Sequence, residues 1–143
     1  MARDEEHDPA TGDLVMALAR RVRRAHVEAL ADWDVTPGQA RALRVLAAAD
    51  AMRPSDLAEA LRIVPRSATE VVDALEERGW VRREPDPTDR RATRLVPTED
   101  GRRLVVRIDD VRREASQRVL DVLTPTQRRT LHEILAVVVG EDL

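Results

Sequence analysis

Six stretches of the chain carry apolar residues at the spacing of an amphipathic helix. The first stripe runs from Leu14 to near Trp33, and the fourth runs from Pro65 to Arg78, where Gly79 predicts a stop. The other four begin at helix start signals, which are Thr36 before Pro37, Arg53 before Pro54, Thr98, and Thr124 before Pro125. Because only a few residues separate the third and fourth helices, we expect these two to form a helix-turn-helix.

A short extended segment follows the fourth helix. The sequence WVRRE is followed by a turn rich in Pro and Asp, and then by the return sequence ATRLV. This pattern predicts a β-hairpin with Arg90 and Arg91 at its tip. A helix, a Gly and a basic hairpin in this order indicate a mainly α fold, a winged helix-turn-helix with a two-stranded wing.

The apolar faces of the first, fifth and sixth helices exceed what a small winged core can cover. We expect a second copy of the chain to bury this surplus, which makes the protein a homodimer. The predicted division is an acidic flexible leader at residues 1–13, a winged lobe at residues 34–98, and long dimerisation helices at residues 14–33 and 99–143.

Composition limits the classes of function. The chain has no cysteine, so disulfides and thiolate metal sites are excluded. No apolar run approaches the roughly 20 residues that a membrane-spanning helix needs, and residues 1–13 are acidic rather than signal-like. We therefore expect a cytoplasmic protein that does not contact a membrane.

Charge is segregated along the chain, although the net charge is only −3. Residues 1–13 carry one Arg against five acids, whereas residues 78–94 carry six Arg against three acids. All 24 basic residues are Arg, whose planar guanidinium binds phosphate or guanine with two hydrogen bonds. Because binding to DNA depends on the local field rather than on the net charge, the wing is a candidate DNA-binding element.

Four segments within about residues 31–104 carry a family resemblance, namely TPGQARALRVL, RPSDLAEAL, RSATEVVDALEERGWV and PDPTDRRATRLVPTEDG. Together they resemble the MarR family of bacterial transcriptional regulators. The resemblance implies a single MarR-like unit over residues 14–143 and a homodimer that represses transcription from a palindromic operator. Helix 4 would enter the major groove of double-stranded DNA, the wing would reach the minor groove, and a small aromatic or lipophilic effector would release the DNA.

Three features depart from the family pattern. Glu70 stands on the exposed face of helix 4, where it would either select cytosine or repel phosphate. Pro97 precedes Thr98 and is expected to shorten the return strand, because Pro lacks the N–H of a ladder hydrogen bond. The chain also has no Phe or Tyr, so a pocket for flat ligands would depend on Trp33, aliphatic residues and Arg.

The candidate DNA-binding residues lie on helices 3 and 4 and on the wing. Arg66 is the best candidate for base contact, and Arg91 matches the wing arginine of the family, with Asp89 as the carboxylate that orients it. Arg90 is expected to bind phosphate. The full set is Arg53, Ser55, Arg62, Pro65, Arg66, Ser67, Thr69, Glu70, Asp73, Arg82, Asp89, Arg90 and Arg91.

Two of these assignments have structural alternatives. Ser67 and Glu70 form a Ser-x-x-Glu pattern, so a local capping role competes with base reading. The arginines at the wing tip could instead form a solvated turn. Arg82, Arg83 and Arg94 on the hairpin strands are further phosphate candidates, and edge-strand charge is their alternative.

The candidate ligand-binding residues are His26, Leu30 and Trp33, near the end of helix 1. No set of His, Asp and Glu has metal-ligand spacing, and no nucleophile with its base or phosphate-binding loop is recognisable, so we expect no cofactor, no metal and no catalysis. The alternative to a DNA-binding regulator is a winged-helix module that contacts another protein, because fold alone does not decide function. An enzyme is the third alternative.

Overall fold

The computed structural model describes residues 10–140, and over this range it contains six α-helices and one β-hairpin. The elements are α1 (Ala10–Ala29), a 3-10 turn (Ala31–Trp33), α2 (Pro37–Ala49), α3 (Pro54–Leu61), α4 (Pro65–Glu77), β1 (Val81–Asp86), β2 (Asp89–Pro97), α5 (Glu99–Val119) and α6 (Pro125–Val139). This order confirms the predicted mainly α winged helix-turn-helix. Over the described range, no helix is both long and apolar enough to cross a membrane.

The first helix differs from its prediction at both ends. It begins at Ala10 rather than Leu14, so residues 10–13 are helical and only residues 1–9 of the predicted leader lie outside the described residues. Asp13 stands in the first turn, where a carboxylate interacts favourably with the positive end of the helix dipole. The helix also ends at Ala29, and the chain continues to Trp33 as a 3-10 turn.

Capping boxes start two of the helices, as predicted. The N–H of Gln39 donates to Thr36 Oγ1 at 3.1 Å, and the N–H of Thr36 donates to Gln39 Oε1 at 3.1 Å. The same reciprocal pair joins Thr124 and Gln127 at the start of α6, at 2.9 and 3.3 Å. These hydrogen bonds satisfy backbone donors that have no partner inside the helix.

The helix-turn-helix is built on a core of leucines. Leu43 and Leu46 of α2, Leu57 of α3 and Leu75 of α4 are all fully buried. Three residues connect α3 to α4, and the turn is closed by the N–H of Ile63, which donates to the carbonyl of Ala58 at 3.1 Å. The short connection predicted between these helices is therefore confirmed.

The wing is an antiparallel hairpin that also bonds to the helical part of the lobe. Val81 pairs with Pro97 and Glu84 with Arg94. On its other edge, Leu95 exchanges two backbone hydrogen bonds with Met52, at 2.8 and 3.1 Å. This bridge fixes the wing to the segment before α3.

Pro97 does not shorten the return strand, and that expectation was wrong. β2 extends to Pro97. The N–H of Leu95 points away from β1, toward Met52. Backbone N–H groups point alternately to the two edges of a strand, so an N–H at position 97, two residues later, would also point away from β1. The N–H that proline lacks would therefore not have joined the β1–β2 ladder.

The start of α5 explains the spacing of Thr98 and Gly101. Thr98 is the N-cap, as predicted, because its Oγ1 accepts from the N–H of Gly101 at 3.1 Å. Thr98 also donates through its N–H to the carbonyl of Trp80 and through its hydroxyl to that of Gly79, at 3.0 and 2.6 Å. A Cβ at position 101 would overlap the Trp80 carbonyl. Gly79 itself has a φ of +71°, and it follows Arg78, the C-cap of α4.

The contacts of the chain divide it into two compact units. Among the described residues, 27–111 form one unit, and 10–26 with 112–140 form the other. The first unit is longer than the predicted lobe of residues 34–98, because Leu30, Leu104 and Ile108 belong to its core. In the second unit, His26 Nε2 lies 2.7 Å from Ser116 Oγ.

Candidate nucleic-acid interface

The exposed face of α4 carries most of the residues predicted to read DNA. Ala68, Val72 and Leu75 are buried against the lobe. The opposite face presents Pro65, Arg66, Thr69, Glu70 and Asp73, all exposed, with Ser67 partly exposed. The helix therefore offers a continuous polar surface to a partner, held rigidly by its apolar side.

Arg66 and Glu70 face each other one turn apart. Arg66 Nε lies 3.5 Å from Glu70 Oε1, and the two side chains are 90% and 70% exposed. Such an ion pair contributes little in water, so both groups can exchange this partner for another. The capping alternative for Ser67 is wrong, because α4 already begins at Pro65 after Val64, and Ser67 lies inside the first turn.

Three other polar residues of α4 have partners within the lobe. The hydroxyl of Thr69 donates to the carbonyl of Pro65 at 3.1 Å. Asp73 accepts from Arg83 of β1 at 2.6 Å, and Glu76 accepts from the same guanidinium and from the Arg83 N–H. The carboxylate of Asp73 therefore joins α4 to the base of the wing, and these hydrogen bonds raise the pKa of Arg83.

The turn of the wing is organised by Asp86. Its Oδ1 accepts from both the N–H and the hydroxyl of Thr88, at 2.8 and 2.7 Å. Its Oδ2 accepts from Arg53 Nε, at the start of α3, at 2.8 Å. The Asp86 side chain is only 10% exposed. These hydrogen bonds, those from Thr88 first and that from Arg53 next, hold the pKa of Asp86 well below its ordinary value.

Asp89 does not orient the guanidinium of Arg91, as had been expected. Its Oδ1 accepts from the backbone N–H of Arg91 at 3.0 Å. An Asp side chain in a turn reaches the N–H two residues later more readily than the end of a long side chain, which explains the difference. Over residues 10–140, neither Arg90 nor Arg91 forms an ion pair, and both are exposed. The turn itself is Pro87 and Thr88, so Arg90 and Arg91 lie in the first residues of β2 and not in the turn, where they were predicted. This end of the hairpin, which we call the tip of the wing, therefore presents two unpaired cations.

Arg82 and Arg94, which lie farther from the turn on the hairpin strands, are neutralised locally. Arg82 Nε donates to Glu84 at 2.6 Å, and Arg94 donates to the other oxygen of the same carboxylate at 3.1 Å. These two hydrogen bonds, that from Arg82 first, lower the pKa of Glu84. Positive charge is thus concentrated at the tip of the wing rather than spread along its strands.

The predicted residues of α3 lie at its two ends. Arg53 is the N-cap and is held by Asp86, and Ser55 lies in the first turn, where its hydroxyl is 3.4 Å from Asp56. Arg62 follows the last turn with a left-handed backbone, and its side chain is exposed. All thirteen candidate DNA-binding residues belong to the unit of residues 27–111.

Asp86 is the residue at this surface that sequence reasoning missed. It ties the wing turn to α3, although neither its burial nor its partner Arg53 is visible in the local sequence. One signal was available, because Asp followed two residues later by Thr is typical of a side chain that closes a turn on itself.

A separate crevice lies elsewhere on the same unit. It has a volume of about 640 Å³ and is lined by Asp32, Trp33, Trp80, Asp100, Arg103, Leu104 and Arg107. The guanidinium of Arg107 stacks on the Trp33 ring, 4.7 Å from its centroid. Of the three predicted ligand-binding residues, only Trp33 lines this crevice. Leu30 is buried in the core, and His26 bonds to Ser116 in the other unit.

Comparison with known proteins gives a consistent relationship. The sequence pattern of the MarR family matches residues 35–93. An HTH-type transcriptional regulator of Mycobacterium tuberculosis is 32% identical over 131 residues, which covers 90% of this chain and 89% of that protein. The apo MarR crystal structure from E. coli superposes with a TM-score of 0.81 at 26% identity, covering 89% of this chain and 94% of that one.

A further solved structure shows a similar protein bound to operator DNA. A Cys-to-Ser variant of E. coli MarR in complex with operator DNA matches with a TM-score of 0.67 at 26% identity, covering 89% of this chain and 91% of that one. The expectation of a regulator rather than an enzyme is confirmed by the relatives, which are named transcriptional regulators. The chain belongs to the MarR family of DNA-binding transcriptional regulators.

Proposed function

We propose that this regulator is a cytoplasmic repressor that binds a palindromic operator as a homodimer. In this proposal α4 enters the major groove, and the tip of the wing follows the adjacent minor groove. The single observation that carries it is that one unit presents both the exposed polar face of α4 and the unpaired guanidinium groups of Arg90 and Arg91. A narrow minor groove has a strongly negative potential and favours an inserted arginine.

The main candidate residues have distinct roles in this proposal. Arg66 at the start of α4 reads a base, because bidentate Arg to guanine is the commonest specific contact. Arg91 enters the minor groove and Arg90 binds phosphate, while Ser55 and Arg62 contact the DNA backbone and set the register. Arg53 and Asp73 act indirectly, because each is engaged by a partner within the lobe.

The proposal of a homodimer is supported by apolar surface that the chain leaves uncovered. Large aliphatic side chains on the first and last helices are at least half exposed, namely Leu14, Val15, Met16, Ile134, Val137, Val138 and Val139. A second copy would bury them in a two-fold interface. In functional terms residues 34–98 remain the DNA-binding lobe, and residues 14–33 and 99–143 supply the dimerisation helices.

A small effector is proposed to act through the crevice beside Trp33. Its volume suits a drug-sized molecule, and two indole rings with two guanidinium groups offer stacking and charge to an aromatic ligand. Binding there would act on the lobe that carries α4. Isothermal titration with aromatic carboxylates tests this, with Trp33→Ala as the variant that should lose binding.

The DNA-binding proposal is tested by selection followed by titration. Duplexes are selected from random sequence with the full-length chain. The affinity for the most enriched duplex is then measured by fluorescence anisotropy between about 50 and 200 mM salt. We expect a two-fold symmetric site whose half-sites lie about 10 base pairs apart, one helical turn.

A matched pair of variants isolates the wing in the same assay. The double variant Arg90→Ala/Arg91→Ala should lose most of the affinity. Arg41→Glu changes the net charge by the same amount at an exposed position on α2, outside the candidate DNA-binding residues and the dimerisation helices, and should bind as wild type does. Equal losses in both variants, or no enriched sequence at all, would favour the alternative of a protein-protein interaction module.

A further inference from the structure

Val64 is an exposed aliphatic residue at the start of α4. It is 64% exposed, whereas Ile63 beside it packs against the core of the lobe. Arg62 has a left-handed backbone with a φ of 55°, and the N–H of Ile63 is tied to the carbonyl of Ala58. The turn therefore holds Ile63 inward and leaves Val64 in solvent where the helix begins.

Val64 also occupies a position at which helix stability favours another residue type. It is the N-cap of α4, and no side-chain hydrogen bond forms there. In α2 and α6, the same position before proline holds Thr36 and Thr124, which complete capping boxes. A threonine has nearly the shape of valine and would supply the missing hydrogen bond. The apolar side chain is therefore not explained by the stability of the helix.

Cationic side chains flank this apolar group. Arg62 lies two residues before Val64 and Arg66 two residues after it, and both are exposed. The only ion pair that Arg66 makes over the described range is the exposed one with Glu70, which water and salt weaken. An occupant of this surface must therefore combine negative charge with a small apolar group.

The major groove of DNA offers this combination, because the C5 methyl group of thymine projects there between the two phosphate backbones. We propose that Val64 contacts the C5 methyl of one thymine in each half-site and thereby selects thymine at that position. The inference rests on the proposed function, since α4 must lie in the groove. It assigns one base preference to an aliphatic side chain, in addition to the polar contacts of Arg66.

The test removes the methyl group without changing the base pair. Each thymine of the selected operator is replaced singly by deoxyuridine, which keeps the O4 acceptor and lacks only the methyl. We expect wild type to lose about three- to fivefold in affinity at one thymine per half-site, the effect of one buried methyl group, and little elsewhere. Val64→Ala should bind the thymine and uracil duplexes alike at that position.

Two further variants separate this contact from effects on the fold. Val64→Thr keeps a methyl on Cβ and adds a capping oxygen, so it should retain part of the uracil effect while raising the melting temperature. Val106→Ala is the matched control, because Val106 is 61% exposed on α5, outside the helix-turn-helix. It should show the uracil profile of wild type. Circular dichroism confirms that each variant is folded.

Three results would overturn the inference while leaving DNA binding intact. They are a selected operator without an invariant thymine in each half-site, a wild-type chain that is indifferent to every uracil substitution, and a Val64→Ala variant with the uracil profile of wild type. A wild-type chain that enriches no sequence would instead overturn the proposed function on which the inference rests.

Discussion

Arg53 Nε lies 2.8 Å from Asp86 Oδ2, and this ion pair joins the start of α3 to the turn of the wing. The two residues are 33 positions apart in sequence. Because the same carboxylate also accepts from the N–H and hydroxyl of Thr88, it fixes the turn and its attachment to the helix at once. The position of the wing tip relative to α4 therefore depends on this pair as well as on the bridge between Met52 and Leu95.

Breaking this pair should weaken operator binding without removing a cation from the tip. We expect Asp86→Ala to lose affinity, but by less than Arg91→Ala, because both tip arginines remain and only their placement is relaxed. Fluorescence anisotropy on the selected operator measures the loss. The control is Asp121→Ala, which removes an exposed carboxylate paired with Arg128 in the other unit. An Asp86→Ala variant with the affinity of wild type would show that the wing is held by its backbone bridge alone.

Asp86 should also contribute a pH-dependent part of the stability. Its pKa in the folded chain lies below the ordinary value of 3.8. A carboxyl with a lowered pKa stabilises the fold above about pH 4, and this contribution is lost as the pH falls toward the folded pKa. We expect urea unfolding to show a gap between wild type and Asp86→Asn at pH 7 that narrows at about pH 3. A gap that is constant with pH would mean that the charge of Asp86 has no role in stability.

Gly101 should tolerate no side chain. A Cβ at this position would overlap the Trp80 carbonyl, which the N–H of Thr98 also holds in place. Because the obstacle is backbone, we expect Gly101→Ala to reduce the free energy of unfolding by about 3 kcal/mol. Gly12→Ala is the control, since no atom lies within 4 Å of a Cβ there, and it should be neutral or stabilising. Equal thermal melts for the two variants would contradict this packing.

Truncation of Arg66 and truncation of Arg90 should affect DNA binding in different ways. Arg66→Ala should cost about 1–3 kcal/mol on the operator and relax discrimination at one position per half-site. Arg90→Ala should weaken binding to all sequences alike and reduce the slope of log affinity against log salt by about one. Titrations on operator and random DNA distinguish the two. Loss of equal size on both duplexes for Arg66→Ala would make it a phosphate contact.

A charge on the exposed face of α6 should separate the proposed dimer. Val138 is 77% exposed, and burial of an uncompensated carboxylate in an apolar interface is strongly unfavourable. We expect light scattering to report twice the 16.1 kDa chain mass for wild type and a lower mass, or aggregation, for Val138→Asp. Ala60→Asp, on the exposed side of α3, should behave as wild type does. A wild-type chain that is a folded monomer at micromolar concentration would contradict the homodimer.

The sequence by itself determined which elements form and in what order. Apolar spacing, the Thr caps of α2, α5 and α6, and the Gly after α4 are local signals, because they act within a few residues of the chain. The motif of the wing also identified the family. The ends of α1 were displaced, since helix boundaries depend on weak interactions that a periodic pattern does not resolve.

The tertiary structure alone decided which charged groups are available at the surface. Arg53, Asp73 and Arg82 all carry charge in the sequence, yet each is engaged by a partner that the fold supplies. Arg90 and Arg91 stay unpaired over the described range only because the turn directs Asp86 and Asp89 to backbone and to α3. The partners of Arg53 and Asp73 are 33 and 10 positions away in sequence, so these ion pairs follow from packing and not from local composition.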